Sequence, residues 1–164
     1  MRHDPAFAEF LAGLTGRVQS TLGDRLVSLV LFGSRARGDD RPDSDVDLLI
    51  VCTGLPAGHL HRGAELRPLF RECSLDLGTR IGGGVRPVIS PIYKTPGEAV
   101  HHVPLYLDLV EDAVMLYDRG GFFAGVLDGL RASLKRLGSR RVPFKNGWYW
   151  DLKPDHRPGE VFEI

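Results

Sequence analysis

Two short apolar runs, RLVSLVLF at residues 25–32 and VDLLIV at residues 46–51, are separated only by GSRARGDDRPDS. Each run is partly β-branched and bounded by turn residues, which suits a buried strand better than a helix. The segment between them is turn chemistry throughout, with room for one helical turn at residues 34–37, so the two strands are near neighbours in a sheet. The same stretch concentrates charge. Asp39, Asp40, Asp43, Asp45 and Asp47 fall within nine residues, and the last of them runs straight into the second strand. Carboxylates at the mouth of a buried strand repel one another and resist desolvation, so something positive is expected there.

The rest of the chain supplies layers to cover such a sheet. Asp4 followed by Pro5 reads as a helix start, and Phe7, Phe10, Leu11, Leu14, Val18 and Leu22 recur at helical spacing until Gly23. Residues 59–78 form a second helical pattern that Pro68 should kink and Gly78 and the following glycines should close. VRPVISPIYKT, residues 85–95, reads as a third strand. Pro87 and Pro91 cannot donate to a ladder and push it to an edge or a bulge. Short helices at TPGEAV and PLYLDLV precede a fourth strand at residues 113–118 and a helix at 121–137. Gly125 and Gly129 in that last helix are read as sites of close helix packing, since glycine otherwise costs stability there.

With 164 residues the chain fits one domain with a real core. Residues 1–138 are read as the domain, and residues 139–164 as an extended aromatic and proline-rich arm, folded back over the domain or laid on a partner. Lys plus Arg and Asp plus Glu both count 21, so there is no basic footprint for non-specific nucleic-acid binding. Cys52 and Cys73 lack zinc-ligand spacing and read as reduced core thiols. His59, His61, His101 and His102 have no ligand-spaced partner and read as surface or helix-end residues. No signal peptide or membrane-length apolar run is visible, which gives the expectation of a soluble, cytoplasmic protein.

Along a strand, side chains alternate, so Asp45 and Asp47 point to one face. Two adjacent carboxylates make a hard-oxygen cation site, and magnesium fits because it takes one or two carboxylates and fills its other positions with water and substrate phosphates. Gly33 and Ser34, at the end of the preceding strand, supply an anion cradle: a missing side chain lets backbone N–H groups approach a phosphate, and the hydroxyl adds a donor. Residues 33–47 hold three arginines and five aspartates, 3 − 5 = −2, the charge that one Mg²⁺ neutralises. An EF-hand fails on its glycine and closing glutamate, and a P-loop fails because no GKS or GKT exists.

GSRARG followed by SDVDLLIV, with ten residues between Ser34 and Asp45, resembles the signature of the minimal nucleotidyltransferases of the DNA polymerase beta-like nucleotidyltransferase superfamily. PLYLDLVEDAVMLYD and the aromatic arm are similar to small bacterial and archaeal members. The resemblance implies an α/β (α+β) nucleotidyltransferase fold, a mixed sheet of about four strands flanked by helices. It implies Mg²⁺ and ATP, or another nucleoside triphosphate, and transfer of a nucleotidyl group to an acceptor hydroxyl with release of pyrophosphate. Asp45 and Asp47 would be the catalytic metal ligands, Gly33 and Ser34 would hold the triphosphate, and Arg37 would steady a phosphate or the loop. One departure stands out: the superfamily usually has a third carboxylate on a later strand, where this chain has Ser90; Asp76 and Glu98 lie nearby in sequence, but Asp76 falls in a helical pattern and Glu98 reads as a cap at a helix start.

The leading expectation is therefore a magnesium-dependent transferase that adenylylates a hydroxyl on a partner protein. The resemblance implies a small helical HEPN-domain partner in a toxin–antitoxin pair. The alternative is an antitoxin-like binding module that keeps the fold, with or without nucleotide, and does not turn over. Transfer to an RNA end or a small molecule ranks below both, because balanced charge argues against RNA and no small-molecule pocket is legible. No membrane association is expected, and self-association is left open.

Overall fold

The computed structural model describes residues 4–58, 61–82, 84–145 and 147–164. Among these residues, six α-helices and six strands follow in the order α1 (Pro5–Leu22), β1 (Leu26–Phe32), α2 (Gly33–Arg37), β2 (Val46–Cys52), α3 (Arg67–Ile81), β3 (Ile89–Lys94), α4 (Pro96–Ala99), α5 (Pro104–Asp112), β4 (Val114–Asp118), α6 (Phe122–Leu137), β5 (Arg140–Phe144) and β6 (Gly147–Asp151). The main sheet has the order β3-β2-β1-β4. β1 runs antiparallel to β2 and β4, and β2 runs parallel to β3, so the sheet is mixed. This is the mixed α/β architecture expected from the sequence.

Alternation along β2 divides the core. Val46, Leu48, Ile50 and Cys52 pack with α1 and α3, through Phe10, Leu14 and Val18 on one helix and Phe70, Cys73 and Leu77 on the other. Leu49 and Val51 face the opposite layer, with Tyr106 and Leu109 of α5 and Phe123, Leu127 and Leu130 of α6. A strand covered on both faces must be apolar almost throughout, which is why VDLLIV shows no polar alternation after Asp47. Asp118 joins the layers: its carboxylate accepts from Ser28 Oγ (2.6 Å) and from the backbone N–H groups of Phe123 (3.0 Å) and Ala124 (2.9 Å). It thereby satisfies two otherwise unpaired donors at the start of α6.

Three local expectations are corrected. Pro68 does not kink a helix spanning 59–78; it lies in the first turn of α3, where a missing N–H costs nothing. Gly78 does not end that helix, which continues to Ile81. It is buried inside α3, where a Cβ would come within 2.5 Å of the Val85 carbonyl oxygen, so it permits the returning chain to cross close to the helix. Gly125 and Gly129 are exposed on α6 with nothing within 4 Å of where a Cβ would stand, so they mark no close helix packing.

The terminal segment, aperiodic in sequence, is an antiparallel hairpin of β5 and β6. Its pairs Arg141–Trp150 and Pro143–Trp148 share one face. Trp148 and Trp150 both donate through Nε1 to Asp108 Oδ1 of α5, at 2.8 and 3.3 Å. Arg141 bonds Asp112 of the same helix at 3.0 Å. Cys52 and Cys73 are buried free thiols. Among the described residues, no helix is long and apolar enough to cross a membrane.

Candidate active site

Asp47 sits in β2 opposite Phe32 of β1 and Ser90 of β3. Its neighbours Val46 and Leu48 are fully buried against α1 and α3, so the pleat sends Asp47 to the other face of the sheet. Asp45 lies one residue before the strand, is exposed, and accepts from Ser90 Oγ at 3.3 Å. The hydroxyl of the third strand thus meets the acidic pair at its open edge.

Gly33 follows β1 directly, with φ of +77°. A Cβ there would stand 2.3 Å from Asp47 Oδ2, inside van der Waals contact. Glycine is therefore required twice, by the left-handed backbone and by the close approach of the carboxylate. The GS turn and the DxD acids, ten residues apart in sequence, are brought into contact by the β1–β2 pairing.

Electrostatics mark the same spot. Burial pushes the Asp47 carboxyl up from its ordinary value, and the neighbouring charge of Asp45 pushes it further; Arg37 pulls the other way and is outweighed. A half-buried carboxylate whose ionisation is penalised by its own neighbour fits a cation. Among the described residues, no group of three or more His, Cys, Asp or Glu gathers as a metal cluster. The donor set here is instead two carboxylates and a hydroxyl, which leaves most positions around a magnesium ion to water and phosphate.

The loop between the strands is tied by Arg35, a residue that the sequence reading passed over. Its side chain is only 5% exposed. It donates to the Ser44 carbonyl (2.9 and 2.8 Å), the Pro42 carbonyl (3.2 Å) and Asp40 Oδ2 (3.0 Å). Burial lowers its guanidinium from the ordinary value, while Asp40 and Asp45 counter that shift. Arg35 therefore supplies a positive charge beneath the acidic loop and fixes the residue immediately before Asp45. The signal available in sequence was a fork of five donors inside a loop whose carbonyls lack ladder partners.

Arg37 closes α2 and donates from Nε to Asp39 (3.1 Å), with its guanidinium 5.2 Å from the Trp148 ring. It also lines a cavity of about 170 Å³ with Phe32, Gly33, Leu105, Asp108, Leu109 and Asp112. Ser34 is half-buried beside Gly33 in the same helical turn.

Neither acid weighed as a replacement at Ser90 stands there. Asp76 pairs with Arg80 along α3 at 3.0 Å. Glu98 caps α4 in a capping box with Thr95 and holds Arg62 through two bonds of 2.7 and 2.8 Å. Its bonds to Arg62 hold its carboxyl down at about 2. It follows Lys94, which pairs with Val51 at the far end of β2 from Asp47. His61 and His101 are exposed, His102 Nδ1 lies 3.1 Å from the Ile164 carbonyl, and His59 falls outside the described residues.

The chain is similar to known proteins in the region that builds this site. Residues 14–60 match the family model described as nucleotidyltransferase domain. A "putative protein adenylyltransferase" of Methanocaldococcus jannaschii is 29% identical over 132 residues, covering 80% of this chain and 86% of that protein. Among solved structures, a toxin–antitoxin complex with AMP-PNP covers 77% of this chain and 92% of its own at 11% identity and a TM-score of 0.41. A complex of tri-AMPylated Shewanella oneidensis HEPN toxin with MNT antitoxin covers 78% and 92% at 11% identity and a TM-score of 0.35. The segment 14–60 contains both the GS turn and the DxD acids, so the likeness to a nucleotidyltransferase domain falls on the residues that build this site.

Proposed function

We propose that the chain transfers AMP from ATP to a hydroxyl on a partner protein in a magnesium-dependent reaction. The observation that carries the proposal is the contact between the left-handed Gly33 and the Asp47 carboxylate, which faces a phosphate cradle towards an acidic pair. In the reaction an acceptor oxygen forms a bond to the α-phosphorus, the bridge between the α- and β-phosphates breaks, pyrophosphate leaves, and the acceptor proton passes to solvent. Asp45 and Asp47 would hold the magnesium, which supplies neutralisation of the triphosphate charge and activation of the attacking oxygen.

The protein's own contribution is placement. The Gly33 backbone and the Ser34 hydroxyl hold phosphate oxygens, Arg37 adds a charge-assisted donor, and Arg35 keeps the Asp45 loop in one conformation. Ser90 orients the Asp45 carboxylate. The name of the Methanocaldococcus jannaschii relative supports adenylyl transfer to a protein. The likeness of GSRARG and SDVDLLIV to minimal nucleotidyltransferases supports a small helical HEPN-type partner in a toxin–antitoxin pair, and two free buried thiols suit the cytoplasm.

A second reading has one observation in its favour. Ser90, opposite Asp47, offers a hydroxyl where a third acid would draw the proton from the acceptor, which suits a module that binds nucleotide without turnover. Incubation with Mg²⁺, ATP labelled at the α-phosphate and the product of the neighbouring reading frame separates the two. Label on the partner that disappears with Asp47→Asn supports transfer. A tight unlabelled complex supports the module.

A further inference from the structure

The matched family segment ends at residue 60, yet the side chain at its phosphate cradle is braced from the other end of the chain. Two guanidinium groups lie over the Trp148 ring of β6: that of Arg141 is 3.6 Å from the ring centre and that of Arg37 is 5.2 Å away. Its indole N–H is fixed on Asp108 of α5, and Arg141 is fixed on Asp112, one turn further along the same helix. Asp108 and Asp112 line the cavity that Arg37 and Gly33 also line. The hairpin, α5 and α2 are therefore joined in one chain of contacts that ends on Arg37.

Among the described residues, Arg37 makes one hydrogen bond of its own in this network, from Nε to the exposed Asp39, which leaves the far face of the guanidinium free to turn. An aromatic face attracts a guanidinium and restricts its plane without using its N–H donors. Those donors stay available for an anion. We infer that Trp148 is a positioning residue for nucleotide binding: its ring holds the Arg37 guanidinium towards the Gly33–Ser34 turn, so that the C-terminal hairpin completes the triphosphate site. The inference deepens the transferase reading and rests on it.

The test is calorimetric titration of Mg-ATP, and separately of magnesium tripolyphosphate, into the full chain and its variants. Trp148→Leu removes the ring and should weaken both ligands about three- to tenfold, the range of a single cation–π contact. Trp148→Phe keeps a ring face and should restore most of that loss, although it lacks the N–H to Asp108. In the Arg37→Ala background, Trp148→Leu should add nothing, because the group it positions is gone. Tyr149→Ala, an exposed change on the next residue of the same strand, should bind as the wild type does. Urea unfolding confirms that each variant is folded.

Equal loss in Trp148→Phe and Trp148→Leu would overturn the inference, because the hydrogen bond to Asp108 would then carry the effect. So would additive losses with Arg37→Ala, or a loss seen with ATP and not with tripolyphosphate. Wild-type binding that Trp148→Leu leaves unchanged removes the positioning role and spares the transferase reading. Absence of any uptake by the wild type overturns both.

Discussion

Replacing Gly33 with alanine separates folding from function at the site, because the structure assigns its two penalties to different atoms. The first is conformational: a residue with a Cβ held at φ of +77° loses roughly 1–2 kcal/mol of stability. The second is steric. The new Cβ would lie 2.3 Å from Asp47 Oδ2 and must displace it by about an ångström to reach ordinary contact at 3.4 Å. Asp47 Oδ2 is the end of a side chain, so the carboxylate gives way and the backbone holds. Displacement by an ångström at a reacting centre costs on the order of 10²-fold in rate. Gly138→Ala is the matched control, with φ of +67° at the end of α6 and nothing within 4 Å of a Cβ. Both variants should lose similar stability in urea, and only Gly33→Ala should lose adenylyl transfer from α-labelled ATP, by about 10²-fold. If the two variants retain equal activity, the Gly33–Asp47 contact has no functional meaning.

The other predictions concern stability and pH. Asp47→Asn should raise the urea midpoint without metal at neutral pH. The raised carboxyl pKa means that the penalty is present above it and vanishes at acid pH, where the side chain is protonated in both states, so the gain should vanish there too. Glu98→Ala should cost roughly 2 kcal/mol, from the lost reciprocal bond to the Thr95 N–H and from an Arg62 left with the Pro56 and Tyr93 carbonyls and no counter-charge, and should leave Mg-ATP titrations unchanged. Because Glu98 is held at about 2 against an ordinary 4.5, its contribution is complete above pH 4.5 and should shrink as pH falls towards 2, which urea midpoints across that window would reveal. Gly125→Ala and Gly129→Ala should each stabilise by about 1 kcal/mol in thermal unfolding, since both face open space on a helix.

The site was legible where its parts lie close in sequence. Gly33, Ser34, Asp45 and Asp47 flank one turn between two strands, and apolar runs covered on both faces announce themselves without tertiary knowledge. Ser90 was legible as a departure through the family resemblance, which implies an acid on the third strand; its place opposite Asp47 comes from the parallel pairing of that strand with β2. Arg35 was not, because its partners are the carbonyls of Pro42 and Ser44, which converge only when the loop closes. The hairpin was hidden for a different reason: Arg141, Trp148 and Trp150 face inward with polar tips bonded to α5, so burial leaves no apolar alternation to read. Pro68 and Gly78 misled because the same residue types break a helix, begin it, or admit a crossing chain, and only the surroundings decide.

The central claim is that Asp45 and Asp47 share a divalent cation with a triphosphate lying on the Gly33–Ser34 turn. Crystals soaked with manganese and a non-hydrolysable ATP analogue test it directly through anomalous scattering. An anomalous peak is expected within coordination distance of both carboxylates and of a phosphate oxygen, and is expected to be absent from Asp47→Asn crystals. Bound nucleotide with no manganese at these two residues, or manganese held elsewhere, would contradict it.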